Sequence, residues 1–175
     1  MSEYNHNELI FLQLIRDNKG ILYKICKLYC RNADDRDDLM QEMIYQLWRS
    51  GKKYDDKYKF STWMYRIALN VAISFYRKES RSGLRVSLGG DLRLIELEDR
   101  SSDNEELEEK IDLLQLFISE LGELDKALMI LYLEERPYRE IAEILGITET
   151  NVATKLSRIK GRLKQQFLKA NKLFL

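Results

Sequence analysis

"PYREIAEILGITETNVATKLSRIKGRL", from Pro137 to Leu163, is the stretch whose reading decides the fold. It reads as two short helices around one glycine, and the second helix becomes basic. Ile141 and Ala142 lie on the first helix, where alanine is small enough to let the second approach. Gly146 stands where the turn needs positive φ, which glycine adopts at least cost. Ile147 and Val152 are placed to pack back on a core, and Leu156 continues that face. Thr148 is a candidate cap, with Asn151 three residues on. The second helix then offers Asn151, Thr154, Lys155, Arg158, Lys160 and Arg162. Such a helix fits the major groove, with early residues at base edges and later basic residues on phosphate. The competing reading is a three-helix core with a solvated basic face. Apolar residues, alanine and glycine all at the required offsets favour the DNA reader.

The rest of the chain does not look like a DNA-binding protein in bulk. Its 175 residues hold 29 Lys+Arg against 29 Asp+Glu, a formal net charge of +0. At 45% hydrophobic and 33% charged it can bury a core and stay soluble. One proline and eight glycines point to mostly helix, whose interiors exclude both. No apolar run is long enough to span a bilayer, so no membrane insertion is expected. The N-terminal "MSEYNHNELIF" is acidic and lacks a long apolar core, so a cytoplasmic protein is the expectation. The neutral total hides three blocks. Residues 1–80 hold 14 basic and 11 acidic residues, residues 91–135 hold 4 and 15, and residues 136–175 hold 9 and 3. Regional charge governs partner choice better than the total does. The acidic middle, net −11, is read as a solvated connector, as a mimic of nucleic acid, or as a shield for the basic end, net +6, in the free protein.

Working toward the N-terminus, two helices precede the motif, in "EELEEKIDLLQLFISEL" and "ELDKALMILYLEE". Residues 81–106, with Gly83, Gly89, Gly90 and several serines, read as a flexible linker between two domains. The domains are then residues 1–80 and 107–175, and the fold class is all-α: two small helical domains, the second a helix-turn-helix. In the first domain, Leu9, Leu12, Ile15, Leu22, Ile25 and Leu28 recur at helical spacing, with Gly20 marking a break or a loosened turn. In "NADDRDDLMQEMIYQLWRS", Asp34 or Asp35 can cap a helix whose Leu39, Met43 and Leu47 repeat every four residues, and Gly51 ends it. "KKYDDKYK" is a polar loop. "FSTWMYRIALNVAISFYRKESR" is one long helix, capped by Ser61, with an apolar face of Trp63, Ile67, Val71 and Phe75.

Between Lys52 and Lys78 aromatic and basic residues interleave: Tyr54, Tyr58, Phe60, Trp63, Tyr65, Phe75 and Tyr76 among Lys52, Lys53, Lys57, Lys59, Arg66 and Arg77. Aromatic faces stack on unpaired bases and nearby cations hold phosphates. Trp63 and Phe75 are core candidates. Tyr54, Tyr58 and Phe60 lie in or beside a loop, where burial is harder, and are candidate stacking platforms. A duplex reader at one end and a single-strand reader at the other suggest a protein that opens DNA. Cys26 and Cys30, one turn apart, read as two thiols on one helix face rather than a redox pair. A metal site needs about four ligands, and the one histidine, His6, offers no such set, so no metal and no cofactor are expected. Asp34, Asp35, Asp37 and Asp38 are better explained by a helix start than by catalysis.

These residues carry a resemblance to the extracytoplasmic-function group of bacterial RNA polymerase sigma factors, over about residues 8–80 and 107–168. "DDLMQEMIYQLWR" resembles the group's core-polymerase-binding helix. "FSTWMYRIALNVAISFYRK" resembles its −10 element helix, with W-x-Y-R-I-A-x-N intact. "LDKALMILYLEERPYREIAEILGITETNVATKLSRIKGRLKQ" resembles its −35-reading domain. The resemblance implies that Asp35, Asp38, Leu39, Gln41, Glu42, Tyr45 and Trp48 dock on the clamp helices of the polymerase's largest subunit. It implies that Lys52, Lys53, Tyr54, Lys57, Tyr58, Phe60, Ser61, Trp63, Arg66, Asn70 and Arg77 capture and melt the −10 element. Arg139, Thr148, Asn151, Thr154, Lys155, Arg158, Lys160 and Arg162 would contact −35 duplex. The implied partners are core RNA polymerase (clamp helices and flap region), promoter DNA and, as a further candidate, an anti-sigma factor. The linker would thread toward the active-site and RNA-exit channels.

Two departures stand out. Arg136 and Pro137 occupy positions where the family usually has Gly and then Ser or Thr. "VATKL" puts Ala153 where Lys is common and Lys155 where Arg is common, which unsettles the usual −35 preference because Arg and Lys differ at bidentate sites. Beside the promoter-specificity subunit, which is no enzyme, stand two other readings. One is a stand-alone helix-turn-helix regulator with a sensing or dimerising N-terminal domain, and the other is an enzyme acting on DNA.

Overall fold

Helices make up all the regular structure of the computed structural model, which describes residues 6–30, 32–55, 57, 59–81 and 105–173. The chain separates into two compact units, residues 1–89 and 90–175. The glycine- and serine-rich stretch read as a linker lies outside the described residues from 82 to 104.

In the first unit the helices are α1 (His6–Asp17), α2 (Lys19–Tyr29), α3 (Ala33–Ser50) and α4 (Phe60–Arg81), with a 3-10 turn at Gly51–Lys53. The α1–α2 break falls at Asn18, not Gly20. The Asn18 amide donates to the Leu14 carbonyl at 2.9 Å and closes α1, while Gly20 is taken into α2. Leu9, expected on the apolar face, is 53% exposed. Asn32 caps α3 in place of Asp34 or Asp35. Its Oδ1 accepts from the Asp35 N–H at 2.7 Å, and its Nδ2 donates to the Asp35 carboxylate at 2.6 Å.

α3 packs on α4, and α2 packs on both. Leu39, Met43 and Leu47, at four-residue spacing, are each 0% exposed. Each such side chain contributes about 1.5–3 kcal/mol by burial. α4 meets this row with Met64, Tyr65, Ala68, Leu69 and Ala72, all buried, so its core face is one residue away from the expected one. Trp63, Ile67, Val71 and Phe75 are only half-buried. Apolar residues surround much of α4, so periodicity alone leaves its rotation open. The alanines, which allow close helix approach, decide it. Ser61 lies within the first turn of α4 rather than capping it.

An aromatic cluster closes the other end of this unit. Phe11, Tyr54, Phe60 and Trp63 meet with ring centroids 5.2–5.8 Å apart, mostly edge to face. Gly51 earns its place here by closeness, since a Cβ would come within 2.7 Å of the Phe11 ring. Its φ is an ordinary −57°, so no left-handed turn is involved.

The second unit comprises α5 (Glu105–Ser119), α6 (Glu123–Leu133), α7 (Tyr138–Leu145) and α8 (Glu149–Leu173). α6, α7 and α8 pack mutually, and α5 packs on α6 and α8. Phe117 of α5 meets Phe167 of α8 edge to face at 5.1 Å. Two left-handed residues set the turns. Gly146 has φ 67°, as expected, and the Ile147 N–H reaches back to the Ala142 carbonyl at 3.1 Å. Glu135 adopts φ 56° after α6, with its N–H on the Tyr132 carbonyl and the Arg136 N–H on the Leu131 carbonyl. That pair of bonds is a Schellman end, where glycine is usual.

The two turns predict opposite responses. A side chain in the left-handed region costs about 1–2 kcal/mol. Gly146→Ala should therefore destabilise the second unit by about 1 kcal/mol. Glu135→Gly should stabilise it by about half that, after the entropy that glycine adds to the unfolded chain. Thermal unfolding of the two variants checks both signs.

Cys26 and Cys30 are both buried, and neither forms a disulfide. Burial pushes the Cys26 thiol up to about 12, with Arg36 lowering it and Asp37 raising it. A thiol raised by folding adds stability below its unfolded pKa, and that stability is lost as pH climbs through the folded one. Cys26 should thus contribute to alkaline unfolding above about pH 9 and be inert below it. A thiol reagent at mildly alkaline pH should label the native chain only at the rate of unfolding. Rapid labelling of folded protein would contradict this.

Candidate functional site

Three surfaces emerge from this framework, two on the first unit and one on the second. The first is the outward side of α3. With Leu39, Met43 and Leu47 turned inward, Asp38, Gln41, Glu42, Ile44, Tyr45 and Trp48 are exposed. Ile44, Tyr45 and Trp48 are 43%, 53% and 58% exposed, an apolar patch rimmed by acids and an amide. Leu39, expected to touch the polymerase, belongs to the core, because its side chain fills the α3–α4 seam. Asp35 is half-buried and engaged with Asn32. Ile44 escaped the sequence reading. Its signal was there, since it falls off the Leu39–Met43–Leu47 row and one turn from Gln41 and Trp48.

The second surface runs from the 3-10 turn along α4. Lys52, Lys53 and Lys57 are exposed, with the Lys57 ammonium 3.7 Å from the Asp55 carboxylate. On α4, Arg66, Asn70, Ser74 and Arg77 are exposed at spacings that keep them on one side of the helix. Ser74, absent from the sequence reading, donates to the Asn70 carbonyl at 2.9 Å. Three aromatic expectations need correction. Phe60 is 9% exposed and enclosed by Phe11, Tyr54 and Trp63, so it is a core residue. Tyr54, taken for a loop platform, is half-buried against Phe60 and Trp63. Trp63, taken for core, keeps part of its surface open. Edge-to-face packing of four rings holds together what the loop composition suggested was free. Ser61 is half-buried, and Tyr58 lies outside the described residues.

The third surface is α8 with the start of α7. Val152, Leu156, Ile159 and Leu163 are buried in a row on α8. Thr148 caps the helix, its hydroxyl accepting from the Asn151 N–H at 3.2 Å. Arg139, Thr148, Asn151, Thr154 and Arg158 are exposed, and Lys155 is half-buried. Two of the basic residues turn to α6 instead. The Lys160 ammonium sits 4.8 Å from the Tyr132 ring centroid, and Arg162 pairs with Asp125 at 3.4 Å. Arg136, one of the two departures, forms a 2.9 Å ion pair with Glu140 across the first turn of α7. Pro137 supplies φ −58° just before that turn.

The sigma-70 region 2 family model matches residues 14–82, and the sigma-70 region 4 model matches residues 111–163. The RNA polymerase sigma factor SigV of Bacillus subtilis is 28% identical over 172 residues, covering 97% of this chain and 98% of that protein. The ECF RNA polymerase sigma factor SigW of the same species is 27% identical over 164 residues, covering 89% and 88%. Among solved structures, the sigma factor RpoE of Bartonella quintana, in complex with the anti-sigma factor NepR, superposes with a TM-score of 0.70 at 18% identity. That match covers 90% of this chain and 96% of that one, and is a likeness of fold. Two different family regions in the expected order disfavour the stand-alone regulator. The chain belongs to the sigma-70 family, in its extracytoplasmic-function group, and is an RNA polymerase sigma factor, a transcription initiation factor.

Proposed function

We propose that the chain divides its work among the three surfaces. α3 carries core polymerase, the outward side of α4 with the lysines before it holds the melted −10 strand, and α8 reads −35 duplex. The observation that carries this is the solvent exposure of Tyr45 and Trp48, at 53% and 58%, beside acids that suit basic clamp helices. Large aromatics left open at the centre of a polar rim are what a docking partner covers. The α4 side supplies cations and an amide at successive turns, which suits a backbone tracked along a groove. The work is cytoplasmic, where the polymerase is. The RpoE relative was solved with an anti-sigma factor, and we infer the same class of partner here.

Two outcomes test the division. Tyr45→Ala with Trp48→Ala should leave helical circular dichroism and melting temperature nearly unchanged, because both side chains are exposed. Co-purification with core polymerase should fall by at least about thirtyfold, as loss of a buried aromatic anchor commonly costs about 2 kcal/mol or more. Unchanged co-purification would remove α3 from the polymerase interface.

Arg66→Ala with Asn70→Ala should keep core binding and fold while lowering permanganate reactivity of melted promoter thymines. Replacing Phe60 would not serve, since its loss should cost about 3–5 kcal/mol of stability. Full opening by the Arg66/Asn70 variant would assign those residues to the solvated side of α4 alone.

A further inference from the structure

Two exposed basic residues of the recognition helix lean toward α6. Lys160 and Arg162 are drawn to Tyr132 and Asp125 of α6, and Lys155 is half-buried. Away from the buried row of Val152, Leu156 and Ile159, the exposed residues of the first turns are Glu149, Thr150, Asn151, Ala153, Thr154 and Ser157, most of them small, with Arg158 beyond them. The Thr154 hydroxyl donates to the Thr150 carbonyl at 2.9 Å. A threonine whose hydroxyl is spent on its own helix presents its γ-methyl outward. The side of α8 that would enter a groove thus carries the methyl groups of Ala153 and Thr154 beside the amide of Asn151. In the major groove one base carries an apolar group, the C5-methyl of thymine, and alanine and threonine methyls are its natural contacts.

We infer that α8 selects thymine at one or two −35 positions through the methyls of Ala153 and Thr154, with Arg158 placed for phosphate. The inference rests on the reading of α8 as the −35 helix. It assigns base choice to side chains that carry no charge and leaves the basic residues to orientation.

The test uses holoenzyme assembled from the full chain and core polymerase. A preferred −35 duplex is first selected from randomised sequence. Each of its thymines is then replaced by deoxyuridine, which lacks only the C5-methyl. The expected result is a loss of about threefold to fivefold at one or two positions, the size of one methyl contact. Thr154→Ser keeps the hydroxyl and removes the methyl, and Ala153→Gly removes the other. One of these variants should erase the deoxyuridine penalty at a given position. A selected element without thymine, an absent penalty, or a penalty that both variants retain would overturn the inference. In those cases a scrambled −35 element that still weakens binding leaves α8 as the −35 helix. If scrambling has no effect, the parent reading falls with the inference.

Discussion

The seam between α3 and α4 is the contact on which the first unit depends. Leu39, Met43 and Leu47 repeat every four residues and are wholly withdrawn from solvent against Met64, Ala68, Leu69 and Ala72. A helix locked by one face has its opposite face fixed in direction. The same seam that buries Met43 therefore holds Tyr45 and Trp48 out, and the rotation of α4 that buries Ala68 holds Arg66 and Asn70 out. Interior packing tolerates little volume change, so the two surfaces are held at a set separation within this unit. That rigidity suits the division proposed above, in which polymerase on α3 and single-stranded DNA on α4 would be engaged together.

The absence of net charge, odd for a DNA reader, has a physical account. Affinity for duplex comes mainly from neutralised phosphates and weakens with salt. A subunit that binds DNA in partnership with a polymerase does not have to supply that whole term itself. Within the second unit the acids go further and occupy some of the bases. Asp125 of α6 holds Arg162, and the ring of Tyr132 holds Lys160. Exposed pairs of this kind contribute little to stability. Their consequence is for orientation, because a guanidinium turned toward α6 is turned away from the opposite side of α8.

The parts legible in the sequence were those with one strong local cause. The Leu39–Met43–Leu47 row has only one rotation that buries it. Gly146 at φ 67° and Thr148 as a cap followed from the requirements of a tight turn, each met by one residue type. What misled was ambiguity of a kind that tertiary structure alone removes. α4 is apolar around much of its circumference, and the face chosen by periodicity was one residue off. Asn32, Asp34 and Asp35 are all good caps, and the one that could also bond the Asp35 side chain took the role. Tyr54 and Phe60 looked like loop residues because the cluster that holds them includes Phe11, about fifty residues before Phe60. No local pattern announces a four-ring cluster assembled from α1, the 3-10 turn and α4.

The departures from family habit before α7 each have a local structural role. Where the family usually has glycine and then a hydroxyl residue before α7, Arg136 forms an ion pair with Glu140 and Pro137 presets the backbone. Both devices serve the start of a helix, one by charge across the first turn and the other by a fixed φ. The left-handed position just upstream is filled by Glu135, so the strain that glycine would avoid is carried by the Schellman bonds and the packing of α6. On α8 the position is different. Ala153 is exposed and Lys155 half-buried, so both lie off the buried row of Val152, Leu156, Ile159 and Leu163. Under the proposed reading of α8, substitutions that keep the scaffold and change the outward side are the ones that would change which promoter is read.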